Sequence, residues 1–171
     1  PNAGGMGAYA PAPLLDEQGL EQVRTEILEP VVAALQQKGI DYRGVIYAGL
    51  MLTTSGPQVI EFNCRFGDPE CQTLMPLLDG DLAGVLLACA EGRLDQAPPL
   101  TIKSACSACV VAAAHGYPEA TRLGDCISDA GADISVNDSG SQLFHAGVRA
   151  DEGNLQTSGG RVLAAVAQGE N

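Results

Sequence analysis

Val59-Ile60-Glu61-Phe62-Asn63-Cys64-Arg65-Phe66-Gly67-Asp68-Pro69-Glu70-Cys71-Gln72 reads as a strand that runs straight into a helix. Apolar and polar residues alternate from Val59 to Asn63, the period of extended chain. Glu61, Asn63 and Arg65 therefore leave the backbone on one side, and Ile60, Phe62 and Cys64 on the other. Same-side neighbours on a strand sit roughly 6.5–7 Å apart, so a carboxylate and an amide oxygen can share one hard cation with a guanidinium just beyond it. Mg²⁺ prefers oxygen ligands and takes only a few from protein, leaving the rest to water and phosphate. An arginine beside such a metal suits a phosphoryl or acyl-phosphate group, because its fork donates two parallel hydrogen bonds. Gly67-Asp68-Pro69-Glu70 then opens the helix, with Asp68 as N-cap, Pro69 at the first helical position and Glu70 complementing the helix dipole. A plainer reading stays open for the same residues: a buried strand, a solvated Glu61 and a well-capped helix.

Upstream, residues 1–13 are rich in glycine and proline and read as a loop, not an element. Gly4-Gly5-Met6-Gly7 has no strand before it, so no dinucleotide fingerprint is claimed, and a turn needing glycine backbone angles explains it as well. Asp16 caps a helix reaching about Lys38, in which Leu20, Val23, Ile27, Val31, Ala34 and Leu35 form one apolar stripe. Pro30 must kink or divide that helix, and Gly39 ends it. Arg43 to Thr53 reads as a strand, Thr54-Ser55-Gly56-Pro57 as a turn and Gln58 to Asn63 as the antiparallel return.

Downstream, one helix after Asp68 carries Leu74, Leu77 and Leu78. Asp81 caps a second, with Leu82, Val85, Leu86 and Cys89 on one face and Gly92 as its stop. Both are expected to pack on the hairpin. Gln96-Ala97-Pro98-Pro99 is the expected boundary, giving domains 1–97 and 98–171. Beyond it the pattern turns to β: Ala105–Ala114, Asp125–Ser128, Gln142–Val148 and Arg161–Ala167 read as strands, Gly116-Tyr117-Pro118 and Asp151–Asn154 as turns, and 129–141 as a surface loop. The fold class is α+β.

The chain has 171 residues and a net charge of −12, which argues against nucleic-acid binding through a basic surface. Aromatic residues make up only 4%, so the core must come from Val, Leu, Ile and Ala. There is no uncharged apolar run of the ~18 residues a membrane span needs, and the first residues given do not read as a charged-then-apolar signal pattern. The six cysteines are scattered. Cys106-Ser107-Ala108-Cys109 forms a C-x-x-C pair, but positions three apart on a strand face opposite sides, and no second pair completes a zinc site. These cysteines read as small buried hydrophobes. His115 and His145 are isolated and read as packed or hydrogen-bonded residues rather than ligands.

Arg65-Phe66-Gly67-Asp68-Pro69-Glu70-Cys71-Gln72 resembles the R-F-G-D-P-E-x-Q signature of the glycinamide ribonucleotide synthetase (phosphoribosylamine–glycine ligase) family, ATP-grasp enzymes of purine synthesis. Asn2 to Pro13, with its Gly4-Gly5-Met6-Gly7-Ala8-Tyr9 core, resembles the family's N-T-G-G-M-G-A-Y-S-P-A-P stretch. Tyr42-Arg43-Gly44 with Tyr47-Ala48-Gly49-Leu50-Met51, Phe144-His145-Ala146-Gly147, and Gly159-Gly160-Arg161-Val162-Leu163 resemble further family strands, in family order. His115 stands where the family usually has glycine, so no family role passes to it.

This resemblance implies the C-terminal part of an ATP-grasp domain, antiparallel strands with helices, followed by a small mostly-β C-terminal domain. It implies a fragment: an N-terminal part of the same enzyme, carrying the nucleotide-holding lysines, would precede Pro1, and the family's last helix would follow Asn171. Only Lys38 and Lys103 are present, neither in a glycine-rich context. The implied reaction joins glycine to 5-phosphoribosylamine with ATP through a glycyl phosphate, in the cytoplasm, with no nucleic-acid or membrane partner. Glu61 and Asn63 would hold Mg²⁺ (or Mn²⁺), and Arg65 would stabilise the carboxylate and acyl phosphate. Asp68, Pro69 and Glu70, with Gly4 and Gly5 as a loop offering backbone N–H groups to an anion, would line the substrates. Two alternatives remain: another ATP-grasp ligase, such as a carboxylase, and a truncated chain that folds but turns nothing over.

Overall fold

The computed structural model describes residues 3–128, 140–151 and 153–170. In chain order the elements are β1 (Gly7–Ala10), α1 (Glu17–Val23), α2 (Glu29–Gln37), β2 (Tyr47–Thr53), β3 (Gly56–Asn63), α3 (Glu70–Leu74), β4 (Leu78–Gly80), α4 (Leu82–Ala90), β5 (Leu100–Ile102), β6 (Cys106–Ala113), β7 (Cys126–Ile127), β8 (Gln142–His145), β9 (Val148–Asp151), β10 (Asn154–Thr157) and β11 (Arg161–Gly169). The expected α+β class holds. Of the expected surface loop at 129–141, only Gly140 and Ser141 are among the described residues.

The chain divides into two compact units, and not at a single cut near Ala97. One comprises Pro1–Pro11, Asp68–Leu78 and Ile102–Asn171; the other comprises Ala12–Gly67 and Asp79–Thr101. Two departures from the sequence expectation account for this. Residues 7–10, expected as loop, form β1 and pair antiparallel with β6, Ala8 opposite Cys109. And α3 packs on that same sheet.

The first unit is built on a four-stranded sheet ordered β1-β6-β11-β8, with a three-stranded sheet β7-β10-β9. Its core is a set of cross-strand pairs. Cys109 faces Val166 and Val111 faces Ala164 across β6 and β11, and all four are buried. Small and β-branched residues fit such a pleated, covered face. Thr73 of α3 and Leu77 just beyond it are also buried, at 1% and 3% exposure. The helix is shorter than expected: Met75–Leu77 tightens into a 3₁₀ turn and Leu78 already belongs to β4. Cys106 and Cys109 point to opposite faces, as strand geometry requires, and every cysteine is a free thiol.

In the second unit Asp16 caps α1 as expected, accepting from the Gly19 N–H at 2.8 Å. Pro30 lacks the N–H that a helix interior needs. The helix absorbs this without breaking, through a π turn over Arg24–Leu28 in which the Glu29 N–H reaches the Arg24 carbonyl. Gly39 (φ 68°) ends α2, with the Ile40 N–H returning to the Leu35 carbonyl. The apolar stripe is covered unevenly: Val23 and Ile27 are buried, Val31 and Leu35 are half-buried, and Leu20 is exposed. Asp81 caps α4, accepting from the Gly84 N–H.

Candidate functional site

The β2–β3 hairpin carries the first group of residues. Its register shifts between Gly49 and Leu50: Gly49 faces Glu61 but Leu50 faces Val59, so Ile60 is an extra residue. Such a bulge re-aims the side chain that follows it. Gly49 leaves the room that Glu61 uses, since a Cβ there would lie 3.2 Å from Glu61 Cγ. Along one face, Asn63 Nδ2 donates to Glu61 Oε1 at 3.0 Å and Arg65 Nη2 reaches Asn63 Oδ1 at 3.4 Å. Arg65 Nη1 donates to the Phe66 carbonyl at 2.9 Å, which steadies the guanidinium. Glu61, Asn63 and Arg65 thus stand in one line, as their spacing predicted. Among the described residues, no group of three or more His, Cys, Asp and Glu is placed to hold a metal.

Gly4, Gly5, Asp68, Pro69 and Glu70 lie in the other compact unit. Asp68 is not the helix cap. Pro69 occupies that position without a side-chain cap bond. The Asp68 carboxylate is drawn elsewhere: one oxygen accepts from Gln72 Nε2 at 2.9 Å and the other from Arg161 Nη2 at 2.9 Å. Arg161 Nη1 also donates to the Gly5 carbonyl at 3.1 Å and to the Asp68 carbonyl at 2.8 Å. Glu70, by contrast, has a carboxylate that takes part in no hydrogen bond or ion pair among the described residues.

The two glycines serve close approach, not backbone angle. Neither is among the glycines of positive φ. A Cβ on Gly5 would stand 2.6 Å from Pro69 Cδ, and one on Gly4 would stand 3.2 Å from both Arg161 Nε and the Tyr117 hydroxyl. The Gly4 N–H, expected to face an anion, instead donates to that hydroxyl at 2.9 Å. The charge of this corner is felt by its thiols. Burial pushes the Cys109 thiol up, and the carboxylates of Asp68 and Glu70 push it further. Cys71 is raised by burial and then by Asp68. Arg161 and Tyr117 were not singled out by sequence reasoning; the only signal was Arg161's place in the Gly159–Leu163 match.

Comparison with known proteins matches the phosphoribosylglycinamide synthetase ATP-grasp (A) domain over residues 1–71 and the C domain of the same synthetase over residues 107–171. The chain belongs to the phosphoribosylglycinamide synthetase family. It is 48% identical to a phosphoribosylamine–glycine ligase of Synechocystis over 171 residues, covering 99% of this chain and 40% of that protein. A bifunctional purine biosynthetic protein of Schizosaccharomyces pombe is 45% identical over 172 residues, 21% of its length. The crystal structure of a phosphoribosylamine–glycine ligase from Thermotoga maritima superposes with a TM-score of 0.80 at 31% identity, covering all of this chain and 40% of that one. The chain therefore spans about 40% of these ligases. In family terms, Glu61 to Glu70 lie in the A-domain segment, whereas Tyr117 and Arg161 lie in the C-domain segment. The matched segments end and begin on either side of Ala97, while the Asp68–Arg161 pair joins residues of both within one compact unit.

Proposed function

We propose that this chain supplies part of the active site of a phosphoribosylamine–glycine ligase, working in the cytoplasm together with the remaining length of the enzyme. The reaction is the ATP-dependent joining of glycine and 5-phosphoribosylamine. Glycine's carboxylate is a poor electrophile until one of its oxygens becomes a phosphate. The amine of phosphoribosylamine then attacks the acyl carbon, and glycinamide ribonucleotide, ADP and phosphate leave. The protein's task is charge management.

The observation that carries this reading is the hydrogen-bonded line Glu61–Asn63–Arg65, which runs along β3 and just past its end. Glu61 keeps one oxygen free of hydrogen bonds, while Asn63 turns its amide nitrogen to Glu61 and its oxygen to Arg65; with that amide turned end for end the pair would be a hard, two-ligand donor set. It fits Mg²⁺ or Mn²⁺ bound chiefly through phosphates and water. Glu61 and Asn63 would hold the ion, whose charge neutralises phosphate oxygens. Arg65, steadied by the Phe66 carbonyl, donates to the glycine carboxylate and then to the acyl phosphate. Glu70, with its uncommitted carboxylate, receives a substrate amine. Gly5 and Pro69 form the close-packed floor beside it, and Asp68 acts as a tie between α3 and β11 rather than as a direct ligand.

The segment by itself is inactive on this reading, because ATP must be held by parts of the ligase outside it. Of its two lysines, Lys103 already donates to the Pro76 carbonyl at 2.9 Å. The test is Glu61→Ala in the complete ligase. Loss of roughly 100- to 1,000-fold in kcat is expected; activity within about threefold of the parent, well inside one lost charged contact, overturns the metal assignment. Chelation should abolish turnover, and Mg²⁺ or Mn²⁺ should restore it.

A further inference from the structure

Among the described residues of the β-rich unit, Arg161 is the most heavily engaged side chain. Its guanidinium makes three hydrogen bonds to two separate stretches: to the Gly5 carbonyl, to the Asp68 carbonyl and to the Asp68 carboxylate. Its side chain is 25% exposed, so these bonds are partly withdrawn from water. Everything around it is close-packed. Gly5 lies against Pro69, and Gly160, the residue before Arg161, lies so near the Tyr117 ring that a Cβ would come within 2.3 Å. Tyr117 in turn receives the Gly4 N–H. One arginine and one tyrosine therefore fix the main chain of Gly4–Gly5 against Asp68–Pro69, while Gln72 holds the other Asp68 oxygen from inside α3.

We propose that Arg161 is a positioning residue for the amine-side substrates: acting through Asp68 and the Gly5 carbonyl, it sets the glycine loop and Glu70 in one geometry. This rests on the ligase reading above. The physical reason is the fork of the guanidinium. Parallel donors in one rigid plane can satisfy a carbonyl of one segment and a carboxylate of another at once, which a lysine's single point charge cannot. Glu70 starts the short helix whose first turn hangs from Asp68, so a shift of Asp68 moves Glu70 with it. A misplacement of about 1 Å in such a group costs roughly 100-fold in turnover. Because Arg161 comes from the C-domain segment, the proposal gives that segment a defined part in holding the substrates.

The experiment uses the complete ligase with Arg161→Ala, Asp68→Ala, the double variant and Arg161→Lys. For each, kcat and KM are measured separately for glycine, phosphoribosylamine and ATP. The expected result for Arg161→Ala is a loss of about 100-fold in kcat/KM for glycine and phosphoribosylamine, with the KM for ATP within about threefold. The double variant should fall no more than about threefold below the worse single variant, because the two residues act as a unit. Arg161→Lys should not restore activity. Arg161→Ala within about threefold of the parent, or singles whose costs multiply in the double, overturns the proposal. So does a loss that disappears once activity is scaled to the amount of folded enzyme, read by circular dichroism, or a KM for ATP that rises as far as those for glycine and phosphoribosylamine. Should Arg161→Ala fail to fold, Asp68→Asn decides. It keeps the side chain's shape and weakens the pair, and about a tenfold loss in kcat/KM for glycine and phosphoribosylamine, with the KM for ATP within about threefold, is expected, an unchanged enzyme being the overturning result. Glu61→Ala in the same assay tests the underlying reading separately: full activity there removes the metal assignment, whereas the ratios for Arg161 stand or fall on their own.

Discussion

The two compact units hide their apolar residues to different degrees. In the β-rich unit Cys109, Val111, Ala164 and Val166 meet across β6 and β11 and are all but sealed from water. The helix-and-hairpin unit buries Val23, Ile27 and Ala88, yet leaves Met51, Leu52, Val59, Ile60 and Phe62 of its hairpin exposed. A two-stranded hairpin is marginal by itself, and burial of roughly 25 cal/mol per Å² is what stabilises a sheet face. The β-rich unit exposes apolar residues too, Val110 and Ile102 among them, so the contrast lies in its buried cross-strand cluster, which the hairpin that presents Glu61 and Asn63 lacks among the described residues.

The strongest way to break that comparison is a charge in each unit. Val166→Asp, at a position 3% exposed, should destabilise the β-rich unit by more than about 3 kcal/mol. Ile60→Asp, at a position 62% exposed, should cost the 171-residue chain less than about 0.5 kcal/mol. Urea unfolding of both variants checks this, and equal costs would remove the distinction between the units. Next in size is Gly160→Ala. Its Cβ would press on the Tyr117 ring, so a cost of about 1–3 kcal/mol is expected from overpacking, together with loss of the Tyr117 contact to Gly4. A melting temperature unchanged from the parent contradicts the close packing described.

Asp16→Ala sharpens the picture of the other unit. Removing the cap of α1 should cost about 1 kcal/mol, with the change confined to α1 in hydrogen exchange. The smallest expected effect is chemical. Cys64 and Cys126 are exposed and should be alkylated first, and buried Cys109 last. Burial and the nearby carboxylates raise the Cys109 thiol, so less of it is thiolate at any given pH and its labelling should begin only at higher pH than that of a small free thiol. Asp68→Asn removes one of those charges and should speed Cys109 labelling slightly; slower labelling would contradict the assigned cause.

Much of the local structure was legible because its causes are local. Asp16 and Asp81 cap helices through their own neighbours' N–H groups, Gly39 turns left-handed, and a turn of Thr54-Ser55, shorter than the expected 54–57 because Gly56 and Pro57 already pair in β3, makes β2 and β3 antiparallel. The line Glu61–Asn63–Arg65 was legible too: alternation puts Glu61 and Asn63 on one side of β3, and Arg65, in the bend just past the strand, reaches back to Asn63. The misreadings have one origin. A four-residue stretch such as Gly7–Ala10 has no periodicity of its own to announce a strand and becomes one only because β6 offers an open edge. Asp68 looks like a helix cap until an arginine 93 positions away claims its carboxylate. The bulge at Ile60 has no sequence signature either, being a property of the pairing and not of either strand.

The sequence by itself determined the class of the chain, its caps and turns, and the side of β3 that carries the donor line. It also carried the eight-residue signature that led to the family. Only the tertiary structure decided which compact unit each segment joins, why a side chain at Gly5 would collide with Pro69, and that Arg161 holds Asp68. The physical reason is reach. Caps, turns and alternation act within a few residues of chain, whereas a guanidinium's hydrogen bonds are set by which segments the folded core brings within 3 Å of it, and that information is spread over the whole sequence.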